Sequence, residues 1–98
     1  MNIHLQIRFL AALKSVVGKD QINLTIKSSS FTLEDLIVKL TSEIGNEFND
    51  LIINKKTKEI NPDILIFINN IEVQTLQKLK TPLSDGDQIT FLSSIHGG

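Results

Sequence analysis

Only one long stretch of this chain has the spacing of an amphipathic helix, and its apolar face needs a sheet to cover it. Thr32 begins the stretch, because its hydroxyl can accept an unpaired N–H group of the first turn. Glu34 and Asp35 suit the positive end of the helix dipole. Gly45 is predicted to end the helix in a left-handed conformation. The apolar residues that recur on one face are Leu33, Leu36, Ile37, Leu40 and Ile44.

Two segments before the helix alternate apolar and polar residues, which is the pattern of strands with one face on a core. They run over residues 3–9 and residues 22–26. The connection, residues 10–18, has apolar residues at mixed spacings and ends at Gly18, so a helical turn and an irregular loop are both open. We expect the two strands to pair as a long hairpin.

The segment after the helix is predicted to lie mostly on the surface. Residues 46–63 are polar and lysine-rich, with one short apolar anchor at residues 51–53. Residues 64–68 form a continuous apolar, β-branched run. This run is typical either of a central strand covered on both faces or of a strand covered on one face, with an exposed apolar surface on the other.

Turn signals divide the last third of the chain. Asn69-Asn70 favours a tight reversal into residues 71–73. The tetrad at residues 84–87, Ser-Asp-Gly-Asp, predicts a turn before the last strand, residues 88–92. Two aromatic residues of these strands are expected in the core: Phe67 and Phe91.

The order of elements predicts an α+β fold, with a mixed sheet of four to five strands and one main helix packed across it. Neighbouring parallel strands need a long crossover, and the middle section is long enough for the final strand to run parallel beside the first. This is the β-grasp arrangement. We predict one such domain over residues 1–92 and a flexible tail over residues 93–98.

Composition argues against several classes of function. Ten basic and eleven acidic side chains give a formal charge of −1, so no broad positive field favours direct binding of nucleic acid or an anionic membrane. Without cysteine there is no disulfide, thiolate metal site or cysteine nucleophile, and we expect no bound metal. The first residues resemble neither a signal peptide nor a membrane span, so we expect a cytoplasmic protein.

The chain ends in Gly97-Gly98, and the terminal carboxylate is the predicted working group. A Gly-Gly end has no Cβ atoms, so it can pass through a narrow channel toward another protein's nucleotide site. A carboxylate acylates poorly until it becomes an acyl-adenylate, a step that needs ATP and magnesium. Because the sequence has no phosphate-binding loop with lysine and no carboxylate cluster suited to the metal, we expect a partner enzyme to use both and this chain to bind no cofactor.

Three segments near the end follow one another in a specific order. They are the turn Thr81-Pro82-Leu83-Ser84-Asp85-Gly86-Asp87, the strand Ile89-Thr90-Phe91-Leu92 and the end Ser94-Ile95-His96-Gly97-Gly98. With these residues the chain resembles the ubiquitin-like sulfur-carrier family, which includes the small subunit of molybdopterin synthase and the ubiquitin-related modifiers of transfer-RNA thiolation. Residues 9–18 look like the family's first strand and loop, and the middle matches only in pattern. The Ile-His-Gly-Gly end looks closer to the ubiquitin-related modifier branch.

The resemblance implies a sulfur carrier that acts as a substrate and not as an enzyme. Gly98 would be adenylated by an E1-like activating enzyme and converted to a thiocarboxylate that delivers sulfur, for transfer-RNA thiolation or molybdopterin synthesis. The implied partners are that enzyme, a sulfur donor (a sulfurtransferase or persulfide source) and an acceptor enzyme. Conjugation to lysines of target proteins is a second fate of the same activated end.

Residues beside the end are predicted to contact the partner. By analogy with the family, an apolar docking surface lies there, although ordinary closure of the core is an alternative for Leu92 and Ile95. His96 is expected to make a recognition contact. The predicted partner-binding residues are Leu92, Ser94, Ile95, His96 and Gly97.

A second class of function stays open, a ubiquitin-like interaction module whose tail is inert. Partner binding that survives removal of Gly97 and Gly98 would favour it. An independent enzyme is not supported, because the motifs supply no nucleophile, base and orienting group together.

Overall fold

The computed structural model describes residues 1–93 and leaves residues 94–98 outside its description. Its helices and strands are, in chain order, β1 (Asn2–Leu10), α1 (Ala12–Val17), β2 (Gln21–Lys27), α2 (Leu33–Ile44), α3 (Asn46–Ile52), β3 (Ile64–Ile68), β4 (Ile71–Glu72) and β5 (Gln88–Ser93). Two short 3₁₀ helices, Val73–Thr75 and Lys78–Lys80, lie between β4 and β5. None of the helices in this described part is long and apolar enough to cross a membrane.

The strands form one mixed sheet in the order β2-β1-β5-β3-β4. β1 pairs antiparallel with β2 and parallel with β5, and β5 pairs antiparallel with β3. The parallel pair is possible because the whole middle of the chain serves as the crossover. This topology confirms the predicted β-grasp arrangement, with the final strand beside the first.

The longest helix, α2, begins as predicted. The Thr32 hydroxyl accepts the Asp35 N–H at 3.2 Å, and the Asp35 carboxylate accepts the Thr32 N–H at 2.9 Å. This reciprocal pair satisfies two N–H groups that the helix itself leaves unpaired. The prediction for Gly45 was wrong in detail: its φ of 129° and ψ of 163° are not left-handed helical, because Gly45 also forms the entry to α3.

The core lies between the sheet and the helices. The inward residues of β1 are at most 6 % exposed, in agreement with the alternation in the sequence. Three fully buried aromatic rings, Phe9, Phe48 and Phe91, form its centre, with ring centroids 5.6–5.9 Å apart. Contacts of this kind between rings add to the stabilisation from burial itself.

The structure differs from the prediction in one connection and decides between two predicted alternatives in another. Residues 46–63 were predicted to be a surface excursion anchored at residues 51–53, but residues Asn46–Ile52 form α3. Phe48 and Ile52 lie four residues apart on its inner face and are fully buried, whereas Leu51 is 37 % exposed. The choice for residues 10–18 is settled by α1, which ends at the left-handed Gly18.

Candidate partner-binding face at the end of the last strand

The predicted reactive end follows β5, which lies between β1 and β3 in the sheet. Its inward residues Ile89 and Phe91 are fully buried. Backbone pairing on both sides therefore fixes the chain close to its end, and β5 extends to Ser93, one residue further than predicted. The remaining predicted site residues lie outside the described part of the chain: Ser94, Ile95, His96, Gly97 and Gly98.

Leu92 lies on the face of the sheet that points away from α2. Neighbours on a strand alternate between faces, so Leu92 points opposite to the buried Phe91. It is in register with Leu10 on β1 and with Leu65 on β3. Side chains of directly paired residues are about 5 Å apart, so the three leucines form one row across three strands.

Phe67 extends this row. It lies two residues after Leu65 on the same face of β3 and is in register with Thr90. The prediction that Phe67 is a core residue was wrong, because it is half-buried and the buried residues of β3 are Ile64, Ile66 and Ile68. We call the set Leu10, Leu65, Phe67 and Leu92 the outer apolar face.

The position of Leu92 bears on its two interpretations. Leu92 is half-buried and lies outside the cluster of core residues. Closure of the core is therefore not its role. An apolar face beside the end of the chain has the character of a docking surface, and contact of Leu92 with a partner stays a prediction.

Sequence reasoning missed Leu10 and Leu65 as members of this surface. The signal was present in the continuous run at residues 64–68, for which the second alternative holds: one face is covered and the other is half-exposed. The adjacent apolar pairs Phe9-Leu10 and Phe91-Leu92 carry the same signal. Two successive apolar residues on a strand place one on each face.

The turn before β5 is fixed by its two aspartates. The Asp87 carboxylate accepts the Ser84 N–H at 2.8 Å and the Asn69 side-chain amide at 2.8 Å. The backbone N–H of Gly86, which has a φ of 89°, donates to the His4 carbonyl at 2.8 Å. These bonds tie the turn to β1 and to the β3–β4 turn, and so they set where β5 begins.

Asp85 completes this anchor. Its Oδ1 atom accepts the backbone N–H of His4 at 2.7 Å and lies 2.8 Å from Nδ1 of the same residue. The backbone bond, followed by the side-chain bond, stabilises the ionised form and lowers the pKa of Asp85 below its ordinary value. His4 points outward, as expected of its place in β1.

Among residues 1–93, the acidic side chains of the turn before β5 have a structural role. No group of acidic or histidine side chains within these residues could hold a metal ion. The Asp85 and Asp87 carboxylates are engaged in turn hydrogen bonds. The described body thus offers a fixed final strand and an apolar face beside it.

Comparison of the sequence with known proteins gives consistent matches over nearly the whole chain. The family model described as Urm1 (Ubiquitin related modifier) matches residues 4–98, including the end that follows β5. Ubiquitin-related modifier 1 of Saccharomyces cerevisiae is 31% identical over 98 residues, which are 98% of this chain and 99% of that protein.

Solved structures with the same architecture include two small modifiers. The solution structure of small archaeal modifier protein 1 from Methanosarcina acetivorans has a TM-score of 0.78 at 23% identity, and the match covers 100% of this chain and 99% of that one. Urm1 from Trypanosoma brucei has a TM-score of 0.75 at 24% identity, with 99% and 97% covered. At these identities the likeness is one of fold, and it agrees with the β-grasp arrangement.

Proposed function

This chain belongs to the ubiquitin-related modifier family, and on that basis we propose that the carboxylate of Gly98 is adenylated by an E1-like activating enzyme and then converted to a thiocarboxylate. The chain is a ubiquitin-like sulfur carrier and protein modifier. It acts as a substrate of the activating enzyme rather than as a catalyst.

The proposed chemistry has three steps. A carboxylate oxygen of Gly98 attacks the α-phosphorus of ATP and pyrophosphate leaves, with magnesium on the phosphates, all within the partner enzyme. A persulfide sulfur of the sulfur donor then attacks the acyl carbon, and AMP leaves. A second thiol then attacks the sulfur that belongs to the donor, forms a disulfide with it and releases the thiocarboxylate of Gly98.

One observation supports this function above the others: the outer apolar face lies beside the end of a strand that is paired on both sides. A partner that docks on this face meets the chain end at a defined starting point, Ser93. The following five residues, 94–98, span at most about 18 Å when extended. The nucleotide site of the partner therefore has to lie within that distance of the docked strand.

Each predicted tail residue has a proposed role in this encounter. Leu92 and Ile95 contribute apolar contacts with the activating enzyme, and Ser94 and His96 contribute polar ones. Gly97 keeps the last part of the arm narrow enough to enter the channel that leads to the nucleotide.

Transfer-RNA thiolation is the proposed destination of the sulfur, in the cytoplasm. The family match and the Ile-His-Gly-Gly end support this pathway over molybdopterin synthesis. Conjugation to target lysines begins from the same activated end. The acceptor enzyme or target protein decides between these fates.

The test of activation uses the chain ending at Gly98. We expect incubation with an E1-like enzyme from the same cell, ATP, magnesium, a persulfide-bearing sulfurtransferase and a thiol reductant to exchange one oxygen for sulfur in the intact mass. Removal of Gly98 should abolish this exchange and leave the unfolding midpoint unchanged, because the core described for residues 1–93 keeps all of its residues. If the activating enzyme forms neither adenylate nor thiocarboxylate, the proposal is wrong.

The pathway is tested in cells that lack this chain. We expect thiolated transfer RNA to be lost and to be restored by the full chain, but not by a chain without Gly98. Normal transfer-RNA thiolation together with loss of molybdopterin would assign the sulfur to the other pathway.

A further inference from the structure

The strand β2 lies at one edge of the sheet and, among residues 1–93, pairs only with β1. The Phe9 N–H donates to the Asp20 carbonyl, and the Ser28 N–H donates to the Met1 carbonyl. In an antiparallel ladder alternate residues bond to the same neighbour, so the even-numbered residues of β2 point their backbone groups toward β1. The odd-numbered residues direct theirs to the open edge: Gln21, Asn23, Thr25 and Lys27.

A shallow groove, largely open to solvent, lies beside this edge, between β2 and α2. Its volume is about 570 Å³, and Ile26, Phe31 and Val38 supply its apolar lining. Val38 is 65 % exposed, so it adds accessible apolar surface beside Ile26 and Phe31. A strand added to the edge would place every second side chain toward this groove.

The charges around the groove are mainly positive. Lys27 and Lys39 line it, and neither makes an ion pair within the described residues. Asp35 also lines it and keeps its negative charge, with its carboxylate held by the N–H and hydroxyl groups of Thr32 at 2.9 and 3.1 Å, so the two lysines leave a small positive excess. The groove therefore has two lysine side chains without an ion-pair partner in the described residues, and these complement acidic residues on a ligand.

We propose that the β2 edge and this groove bind an extended peptide segment of a partner protein, in which aliphatic residues alternate with polar ones and acidic residues flank the strand. Main-chain hydrogen bonds to Asn23, Thr25 and Lys27 supply affinity, and the groove selects the alternate aliphatic side chains. The two lysines contact the acidic flanks.

This surface is separate from the one that serves activation. The groove lies on the helix side of the sheet, and the outer apolar face lies on the other side. Ile26 is in register with Ile3 at the start of β1, whereas Leu10 ends β1, about 23 Å away along the strand. A peptide partner and an activating enzyme can therefore bind together, and the proposal does not depend on the chemistry of Gly98.

The binding test uses a synthetic peptide of alternating isoleucine and threonine, flanked at both ends by glutamate. In an NMR titration of the full chain, we expect saturable shifts at β2 and at Val38, and slower hydrogen exchange of the Asn23, Thr25 and Lys27 amides. A peptide with lysine in place of the glutamates should bind about fivefold or more weakly.

Two substitutions, each with a matched control, separate strand addition from non-specific apolar binding. Thr25→Pro removes an edge N–H that does not bond to β1, so it should weaken binding about tenfold or more without breaking the sheet. Thr25→Ala is its matched control and should stay within about twofold of the unchanged chain. Val38→Glu places a negative charge at the groove and should weaken binding by about tenfold, whereas Leu76→Glu should not.

The outcomes are decisive even where one variant fails to fold. If Thr25→Pro folds and binds the peptide unaltered, strand addition is wrong. If Thr25→Pro does not fold, the Val38→Glu variant provides the test, and unaltered binding by it would contradict the proposal. Absence of saturable binding, or shifts confined to the outer apolar face, would overturn the whole proposal. Val38→Glu should form thiocarboxylate as efficiently as the unchanged chain, which keeps this test independent of the proposed function.

Discussion

Asp85 shows how an exposed carboxylate helps to fix the position of the final strand. The two hydrogen bonds that it accepts from His4 join residues far apart in sequence, at the start of β1 and just before β5. The same bonds lower its pKa below the ordinary 3.8. At pH values around the folded and unfolded pKa of Asp85, the unfolded chain binds more protons than the folded one, so the free energy of unfolding rises with pH. The stabilisation is present above the unfolded pKa and is lost as the pH falls through the lower, folded pKa.

We predict that Asp85→Asn lowers the unfolding temperature at neutral pH and flattens its dependence on pH in acid. The reason is that the neutral amide keeps an acceptor for the His4 N–H but has no charge to lose. Thermal unfolding followed by circular dichroism from about pH 2 to 7 measures this. The two curves should converge at the acid end.

Asp20→Asn is the matched control for this effect, since Asp20 is an exposed carboxylate whose side chain makes no hydrogen bond or ion pair within residues 1–93. Its curve should run parallel to that of the unchanged chain across the whole range. An Asp85→Asn curve that also runs parallel would show that the hydrogen bonds to His4 contribute nothing that depends on charge.

At the scale of elements, α3 contributes a core residue, Phe48, that its largely polar sequence does not predict. Phe48 is fully buried and contacts the rings of Phe9 and Phe91, whereas Leu51 on the same helix is 37 % exposed. We predict that Phe48→Ala destabilises the fold by about 3–5 kcal/mol, because it leaves a cavity among the rings. Leu51→Ala should cost less than about 1 kcal/mol. Urea unfolding of both variants measures the difference, and equal losses would contradict the observed packing.

The elements that the sequence predicted correctly are those with a clear local period. The alternation of β1 and β2 and the helical spacing of α2 each identify a buried face without any knowledge of the rest of the fold. Asn69 and Asn70 form the predicted turn, with φ values of 50° and 71°, because asparagine tolerates this conformation.

The features that could not be predicted depend on packing between distant segments. Phe48 follows a polar stretch, and only its contacts with β1 and β5 show that it belongs to the core. For Phe67 the run of five apolar residues left both faces of β3 equivalent. Pairing with β5 decided which of its residues point outward. The roles of the tail residues from Ser94 onward are predicted from the sequence alone.

At the scale of the whole molecule, the two faces of the sheet have different roles: one stabilises the fold, and the other is the proposed surface for partner binding. One face packs against the helices, and the other carries the row of leucines beside the end of β5. A charge on the outer face therefore alters docking without opening the core. Leu65 is the most informative position, because it lies on β3 and is not part of the strand that leads to Gly98.

We predict that Leu65→Glu lowers kcat/KM for adenylation by about 10–30-fold, chiefly through a higher KM, because a buried carboxylate at an apolar interface costs about 1.4–2 kcal/mol or more. Leu76→Glu, at another exposed leucine, is the matched control and should leave both constants unchanged. ATP–pyrophosphate exchange measures the rate, and circular dichroism checks that both variants fold. A folded Leu65→Glu variant with an unaltered KM would mean that the activating enzyme recognises the arm alone, and the outer apolar face would then need a different partner.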